Sequence, residues 1–242
     1  MIAYSKKIPF ICLVATLYAF IGCQKEFKDD NFTAYFGGEV INPKSNFVLF
    51  LKDDVVIDTI YLDKKNRFIQ KFDSLSPGLY TFKHEPEYQY VYFDKNDSLM
   101  VRVNTRDFDN SVIFCGRGDQ KNNFLMEQYL KTEKAKDAIF EAFNEDINRF
   151  TKTIDSTHQV ATKFYEAKKQ ELKWSDEFDV FAKAAVDYPF YSGKELYPMV
   201  HKMRTGNDVY ESIPANYYNF RKNIDCNNAA LSDYSPFVMY LS

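Results

Sequence analysis

Residues 98–130 have the sequence S-L-M-V-R-V-N-T-R-D-F-D-N-S-V-I-F-C-G-R-G-D-Q-K-N-N-F-L-M-E-Q-Y-L, and the pattern of apolar residues changes within this stretch. Before Gly118 apolar and polar residues alternate, as in Val101-Arg102-Val103, which is typical of a strand with one buried face. After Gly118 the apolar residues recur at helical spacing, and residues 119–188 contain neither glycine nor proline. The stretch therefore predicts that a sheet gives way to helices at Gly118.

The part of the chain before this boundary, residues 31–117, is predicted to be a β-sandwich domain. Its apolar runs are rich in β-branched and aromatic residues, lie about ten residues apart, and are joined by turn sequences such as Pro77-Gly78. This spacing favours antiparallel strands, and we expect an α+β fold with two packed sheets. The runs are F-T-A-Y-F, N-F-V-L-F-L-K, V-V-I-D-T-I-Y-L, R-F-I-Q-K-F, G-L-Y-T-F-K, Y-Q-Y-V-Y-F, S-L-M-V-R-V-N and S-V-I-F-C.

Residues 118–242 are predicted to be mainly helical. Asp119 and Ser175 are suitable N-caps for two helices. A third group of apolar residues is spaced so that its members would share one face of one helix. Only six residues follow Pro236, where another helix would begin, so we expect the helical region to be cut short of a C-terminal domain. The third group is Ile139, Phe143, Ile147, Phe150 and Ile154.

The first 22 residues have the organisation of a lipoprotein signal peptide. Lys6 and Lys7 precede an apolar run that ends at Gly22, directly before Cys23. This run is shorter than the roughly 20 apolar residues that a spanning helix needs. F-I-G-C resembles a lipobox, so we expect cleavage before Cys23 and lipid on its thiol. Several acyl chains would make this membrane attachment stable.

The residues after Cys23 are predicted to be a polar tether covering residues 23–30. Gln24, in place of the aspartate that signals inner-membrane retention, favours the outer membrane, and whether the protein faces the periplasm or the cell surface stays open. Loss of residues 1–22 removes two lysines and leaves 29 basic and 34 acidic side chains, a net charge near −5. That charge gives no indication of nucleic-acid binding.

The sequence contains no recognisable catalytic or cofactor-binding motif. G-x-S-x-G, H-E-x-x-H, C-x-x-C and the phosphate-binding glycine patterns are all missing, so we expect no catalytic residue, cofactor or metal site. Cys115 and Cys226 leave a single disulfide possible, and the apolar neighbours of Cys115 favour its burial. On a predicted helix, Asp155 and His158 are expected to form a surface pair.

Tyr88, Tyr90 and Tyr92 are the best candidate for a ligand surface. They alternate with Gln89, Val91 and Phe93, so the three rings should form a row on one face of a single strand. Tyrosine rings can stack on sugars or on peptide side chains, although large aromatic residues more often fill cores. The row is therefore predicted to bind a ligand only if its face is exposed.

Five motifs together resemble the N-terminal part of thioredoxin-like thiol-disulfide interchange lipoproteins. The resemblance is clearest over residues 32–130, with D-S-L (97–99) and G-x-G-x-x-x-N-x-F-L (116–125) as its best markers. The motifs are F-x-x-Y-F-G-G-E-V-x-N-P (32–43), D-T-I-Y-L-D (58–63), P-G-L-Y-T-F (77–82), Y-V-Y-F-D-K-N-D-S-L-M-V (90–101) and F-C-G-R-G-D-Q-K-N-N-F-L (114–125).

The resemblance implies an accessory sandwich and a helical section, followed in that family by a thioredoxin-like domain with a redox C-x-x-C. This sequence has no C-x-x-C, so the family's catalytic cysteines have no counterpart here. We expect a non-catalytic, lipid-anchored binding or accessory module of the cell envelope, which acts with another protein or with the thioredoxin-like domain that is missing from this sequence. One alternative is the N-terminal part of a thiol-disulfide oxidoreductase whose catalytic domain lies beyond this chain. The other is a surface lipoprotein that binds sugar or peptide.

Overall fold

A computed structural model describes residues 32–242 of the chain, of which the part up to Arg117 supplies eight strands. The strands are β1 Ala34–Ile41, β2 Phe47–Lys52, β3 Val55–Tyr61, β4 Arg67–Phe72, β5 Gly78–His84, β6 Glu87–Phe93, β7 Ser98–Asn104 and β8 Ile113–Arg117. They form two four-stranded sheets, with the orders β4-β1-β7-β8 and β3-β2-β5-β6. Each strand overlaps one of the eight runs that the sequence predicts.

The two sheets pack face to face around a core of aromatic and branched side chains. Phe36 of the first sheet lies with its ring centroid 5.3 Å from Phe50 and 5.7 Å from Phe82 of the second. The predicted α+β sandwich is thereby confirmed, and the consecutive pairs β2–β3, β5–β6 and β7–β8 are antiparallel. One pair of strands distant in sequence, β1 and β7, runs parallel.

Residues 32–242 contain five α-helices, of which α1 lies between β7 and β8 and the other four lie in the helical region after β8. They are α1 Phe108–Ser111, α2 Asp119–Ala142, α3 Ile147–Leu172, α4 Asp176–Thr205 and α5 Ser235–Leu241, and 3₁₀ turns Tyr210–Ser212, Tyr217–Asn223 and Ala229–Leu231 precede α5. Ser175 caps α4 as predicted, since its hydroxyl accepts from the Phe178 N–H at 3.3 Å. The cap of α2 is Gly118 in a left-handed conformation, with Asp119 in the first turn, so the Asp119 prediction is wrong by one residue.

The predicted single helix through Ile139 and Ile154 is wrong, because the chain turns between α2 and α3. Helix α2 ends at Ala142, and α3 begins after Asp146, whose carboxylate accepts from the N–H groups of Asn148 and Arg149 at 2.9 and 3.1 Å. The apolar residues on both sides of the turn still meet in one core. The apolar residues keep a helical spacing across the turn because each helix turns its apolar residues toward this shared core.

The helices cover one end of the second sheet. Tyr92 of β6 packs its ring 5.0 Å from Phe178 of α4, and both belong to a second core formed mainly by the helices. Met126 of α2 packs in the sandwich core instead. Among residues 32–242, no helix combines the length and apolar composition required to cross a bilayer.

Candidate functional site

The tyrosine row occupies one face of β6, as predicted. Antiparallel pairing places Tyr88 opposite Lys83, Tyr90 opposite Thr81 and Tyr92 opposite Leu79, on the sheet face that points away from the sandwich core. The row is not uniformly exposed: Tyr88 is 50% exposed, Tyr90 is half-buried, and Tyr92 is buried under α4. Two rings therefore remain available to a ligand.

A cleft of about 880 Å³ lies over this face of the second sheet. Its floor includes Tyr88, Tyr90 and Thr81, and its rim carries charges of both signs, including Lys52 and Asp54. The Lys52 ammonium donates to the Leu79 carbonyl at 2.8 Å, which fixes one wall. An apolar floor with a few convergent polar groups is the usual character of a ligand-binding cleft.

A second pocket, of about 500 Å³, lies at the edge of β6, between that strand and helices α2 and α4. Tyr88, Tyr90, Tyr234 and Ser235 line both spaces, so these residues separate the pocket from the cleft. The Tyr90 hydroxyl accepts from the Ser235 N–H at 3.1 Å, and the Tyr90 and Tyr234 rings lie 5.2 Å apart. Tyr234 and the first residue of α5 thereby hold Tyr90 in place.

Two adjacent asparagines of α2 hold this helix against both sheets. The Asn122 amide accepts from the Tyr92 N–H at 2.7 Å and donates to the Tyr92 carbonyl at 2.9 Å, at the free edge of β6. The Asn123 amide makes the same pair of bonds with Phe114 on β8, at 2.8 and 2.9 Å. Each side chain acts as one residue of an additional strand, which explains N-N in the sequence marker that follows Gly118.

A buried ion cluster joins the same helix to the β6–β7 loop. The Lys121 ammonium lies 2.6 Å from carboxylate oxygens of both Asp94 and Asp97. Burial raises the pKa of Asp97 above its usual value, although Lys121 opposes this shift. Ser175 also donates to Asp94, at 3.2 Å. Because Lys121 and Asp97 are buried, the cluster positions helices rather than contacting a substrate.

The two cysteines within the described residues do not form a redox pair. Cys115 and Cys226 are free and exposed, so the predicted burial of Cys115 is wrong. Since β8 is an edge strand and Phe114 faces the core, strand alternation turns Cys115 outward. Cys23, the predicted lipidation site, lies outside the residues that the structure describes.

The histidines make hydrogen bonds that hold parts of the fold together. His84 is buried, with Nε2 2.9 Å from the Lys44 N–H and Nδ1 3.0 Å from the Phe47 carbonyl. The predicted Asp155–His158 pair is wrong, because His158 lies 2.7 Å from Asp187 on α4. Within residues 32–242, no group of three or more histidine, cysteine and acidic side chains is arranged to hold a metal ion.

Pocket residues on the helices, Asp109, Tyr129 and Glu133, were not predicted as site residues. They come from α1 and α2, far from β6 in sequence, and no local motif connects them. Comparison of the chain with protein-family models, curated proteins and solved structures finds no match, so the candidate site rests on geometry alone.

Proposed function

We propose that this chain is a lipid-anchored cell-envelope protein that acts as a non-catalytic binding module, related to the accessory part of thioredoxin-like lipoproteins. The observation that carries the binding function is the cleft of about 880 Å³ over the outward tyrosines of β6. The proposed lipid on Cys23 rests on the signal-peptide and lipobox pattern, and the proposed location on the outer membrane rests on Gln24.

Three features of the described part favour binding over catalysis. The cleft is lined by aromatic rings with charges on its rim, the cysteines are free, and the buried Lys121 cluster lies beneath the helices. Thiol-disulfide exchange requires thiolate attack and a second cysteine that resolves the mixed disulfide. No observation at Cys115 or Cys226 supplies that arrangement, so the oxidoreductase alternative requires a catalytic domain beyond this chain.

Site-specific photocrosslinking in intact cells tests the binding function. A benzophenone amino acid replacing Tyr88 lies on the cleft wall, whereas the same replacement at Ile69, which is 64% exposed on β4, provides a matched control. We expect a defined covalent adduct from position 88 and none from position 69. Equal adducts at both positions, or none at position 88, would contradict a binding role for the tyrosine face.

A further inference from the structure

The pocket at the edge of β6 differs from the cleft in where it meets the strand. Four consecutive strand residues, 87 to 90, line it together with Pro86, which precedes the strand. Side chains of consecutive strand residues point to opposite faces, so a space that contacts all of them lies against the strand edge. Helices α2 and α4 form the facing walls.

On the side that faces the pocket, the backbone of β6 has no neighbouring strand. Sheet order places β6 at the edge, with β5 as its strand partner. The N–H and C=O of Tyr92 point away from β5 and are bonded by Asn122. Since hydrogen-bonding direction alternates along an antiparallel strand, the same groups of Tyr90 and Tyr88 also point to this edge. An extended peptide can pair there, in line with the Asn122 amide.

The side chains of the pocket are acidic and aromatic. Glu87, Asp109 and Glu133 line it together with tyrosine rings, and within the described residues no lysine, arginine or histidine does so. Glu133 also contacts the ammonium of Lys136 at 3.3 Å, but Lys136 is exposed and points outside the lining. Negative carboxylates and the faces of tyrosine rings both attract a positive group.

Tyr129 lies in the pocket lining close to two of these carboxylates. Its hydroxyl donates to Asp109 at 3.2 Å. Burial, followed by the charges of Asp109 and Glu133, raises the pKa of Tyr129 to about 12. The charges of these two carboxylates therefore add to the effect of burial at this part of the pocket.

We propose that the pocket binds an extended peptide segment of a partner protein, which pairs with the edge of β6 and places a lysine or arginine side chain between Glu87, Asp109 and Glu133. The strand edge supplies directional backbone bonds, and the carboxylates select the basic side chain. This inference rests on the proposed binding function, because Tyr88 and Tyr90 line the pocket as well as the cleft, and it names the class of ligand on the pocket side of these residues.

Fluorescence anisotropy with a labelled probe peptide tests it on the full mature protein in detergent. The probe is an acetylated and amidated hexapeptide of alternating valine and lysine. Matched probes carry glutamate in place of lysine, or N-methyl groups on alternate backbone nitrogens. The protein variants are Glu133→Gln and Asp109→Asn, with Glu127→Gln as the control on α2, since Glu127 lies outside the lining.

We expect saturable binding of the lysine probe, weakened about five-fold by either lining variant, which is the effect of losing one partly exposed ion pair. Glu127→Gln should match the wild type, and added salt should weaken binding. N-methylation should also weaken it by removing pairing with β6. Thermal unfolding of each variant confirms that it is folded.

Three results would overturn the proposal: binding of the glutamate probe with equal affinity, indifference to both lining variants, or indifference to N-methylation. Competition by spermidine as effective as that of the lysine peptide would likewise overturn it, because the site would then take a free cation. A failed peptide test with a retained adduct at position 88 rejects this ligand class alone. Loss of the adduct rejects the proposed function itself.

Discussion

Replacing Asn122 by alanine is expected to destabilise the protein strongly, because the variant leaves the backbone of Tyr92 without partners. Asn122 is 1% exposed, and its amide bonds both the N–H and the C=O of Tyr92 at 2.7 and 2.9 Å. An unsatisfied buried polar group costs about 1–3 kcal/mol, so two such groups cost about 2–6 kcal/mol. The higher helix propensity of alanine offsets roughly 0.7 kcal/mol. We expect a net loss of about 3 kcal/mol, or about 6–12 °C in Tm.

Urea unfolding followed by circular dichroism measures this loss from the midpoint and slope. Asn123→Ala is the matched control, since Asn123 makes equivalent bonds with Phe114 but is only half-buried, so water can replace them. Its expected cost is about 1 kcal/mol. A cost below 1 kcal/mol for Asn122→Ala, or equal costs for the two variants, would refute the role assigned to Asn122.

Two further predictions concern charge and redox chemistry. Burial acts to raise the pKa of Asp187, but hydrogen bonds from His158 and Lys183 outweigh it and hold this pKa below 3.8. Asp187→Asn should therefore cost stability at pH 7, and that cost should disappear as the pH falls below 3.8 through the lowered pKa; a cost independent of pH in urea titrations would argue against it. In an insulin-reduction assay with dithiothreitol, the protein should remain at the background rate, and turnover that is lost in Cys115→Ser or Cys226→Ser would restore the oxidoreductase reading.

The strands were predictable because their signals are local. Some runs alternate buried and less buried residues, as Ser98–Asn104 does, and the turns that separate the runs carry residues suited to positive φ, such as Asn66 and Asn96. The parallel pairing of β1 with β7 was not predictable in this way. It joins strands about sixty residues apart in the sequence, and the spacing of consecutive runs contains no information about that contact.

The errors in the helical region have a common physical origin. The apolar stripe from Ile139 to Ile154 has helical spacing throughout, yet Asp146 begins a new helix within it. Asp146, a residue type that favours helix N-caps, is the local signal in the sequence for the start of this second helix. Similarly, the tyrosine row was predicted from alternation, but the burial of Tyr92 depends on α4, whose position over β6 is set by tertiary packing.

For the same reason, only part of the candidate site could be predicted from the sequence. Tyr88 and Tyr90 follow from one strand, whereas Asp109 and Glu133 reach the pocket from two helices. Asn122 holds α2, and with it Glu133, at the sheet edge, and Tyr129 of the same helix bonds Asp109 of α1. A periodic pattern reports which face of an element is buried, and it does not report which elements share a pocket.

Acyl labelling of the expressed full-length chain tests the central claim, attachment of a binding module to the envelope, most directly. Cells grown with labelled palmitate should incorporate label into the wild type and into Cys115→Ala, whose exposed thiol serves as the control cysteine. Cys23→Ala should carry no label and accumulate as an uncleaved precursor. Label on Cys23→Ala equal to that on the wild type would contradict the lipid anchor and the envelope function built on it.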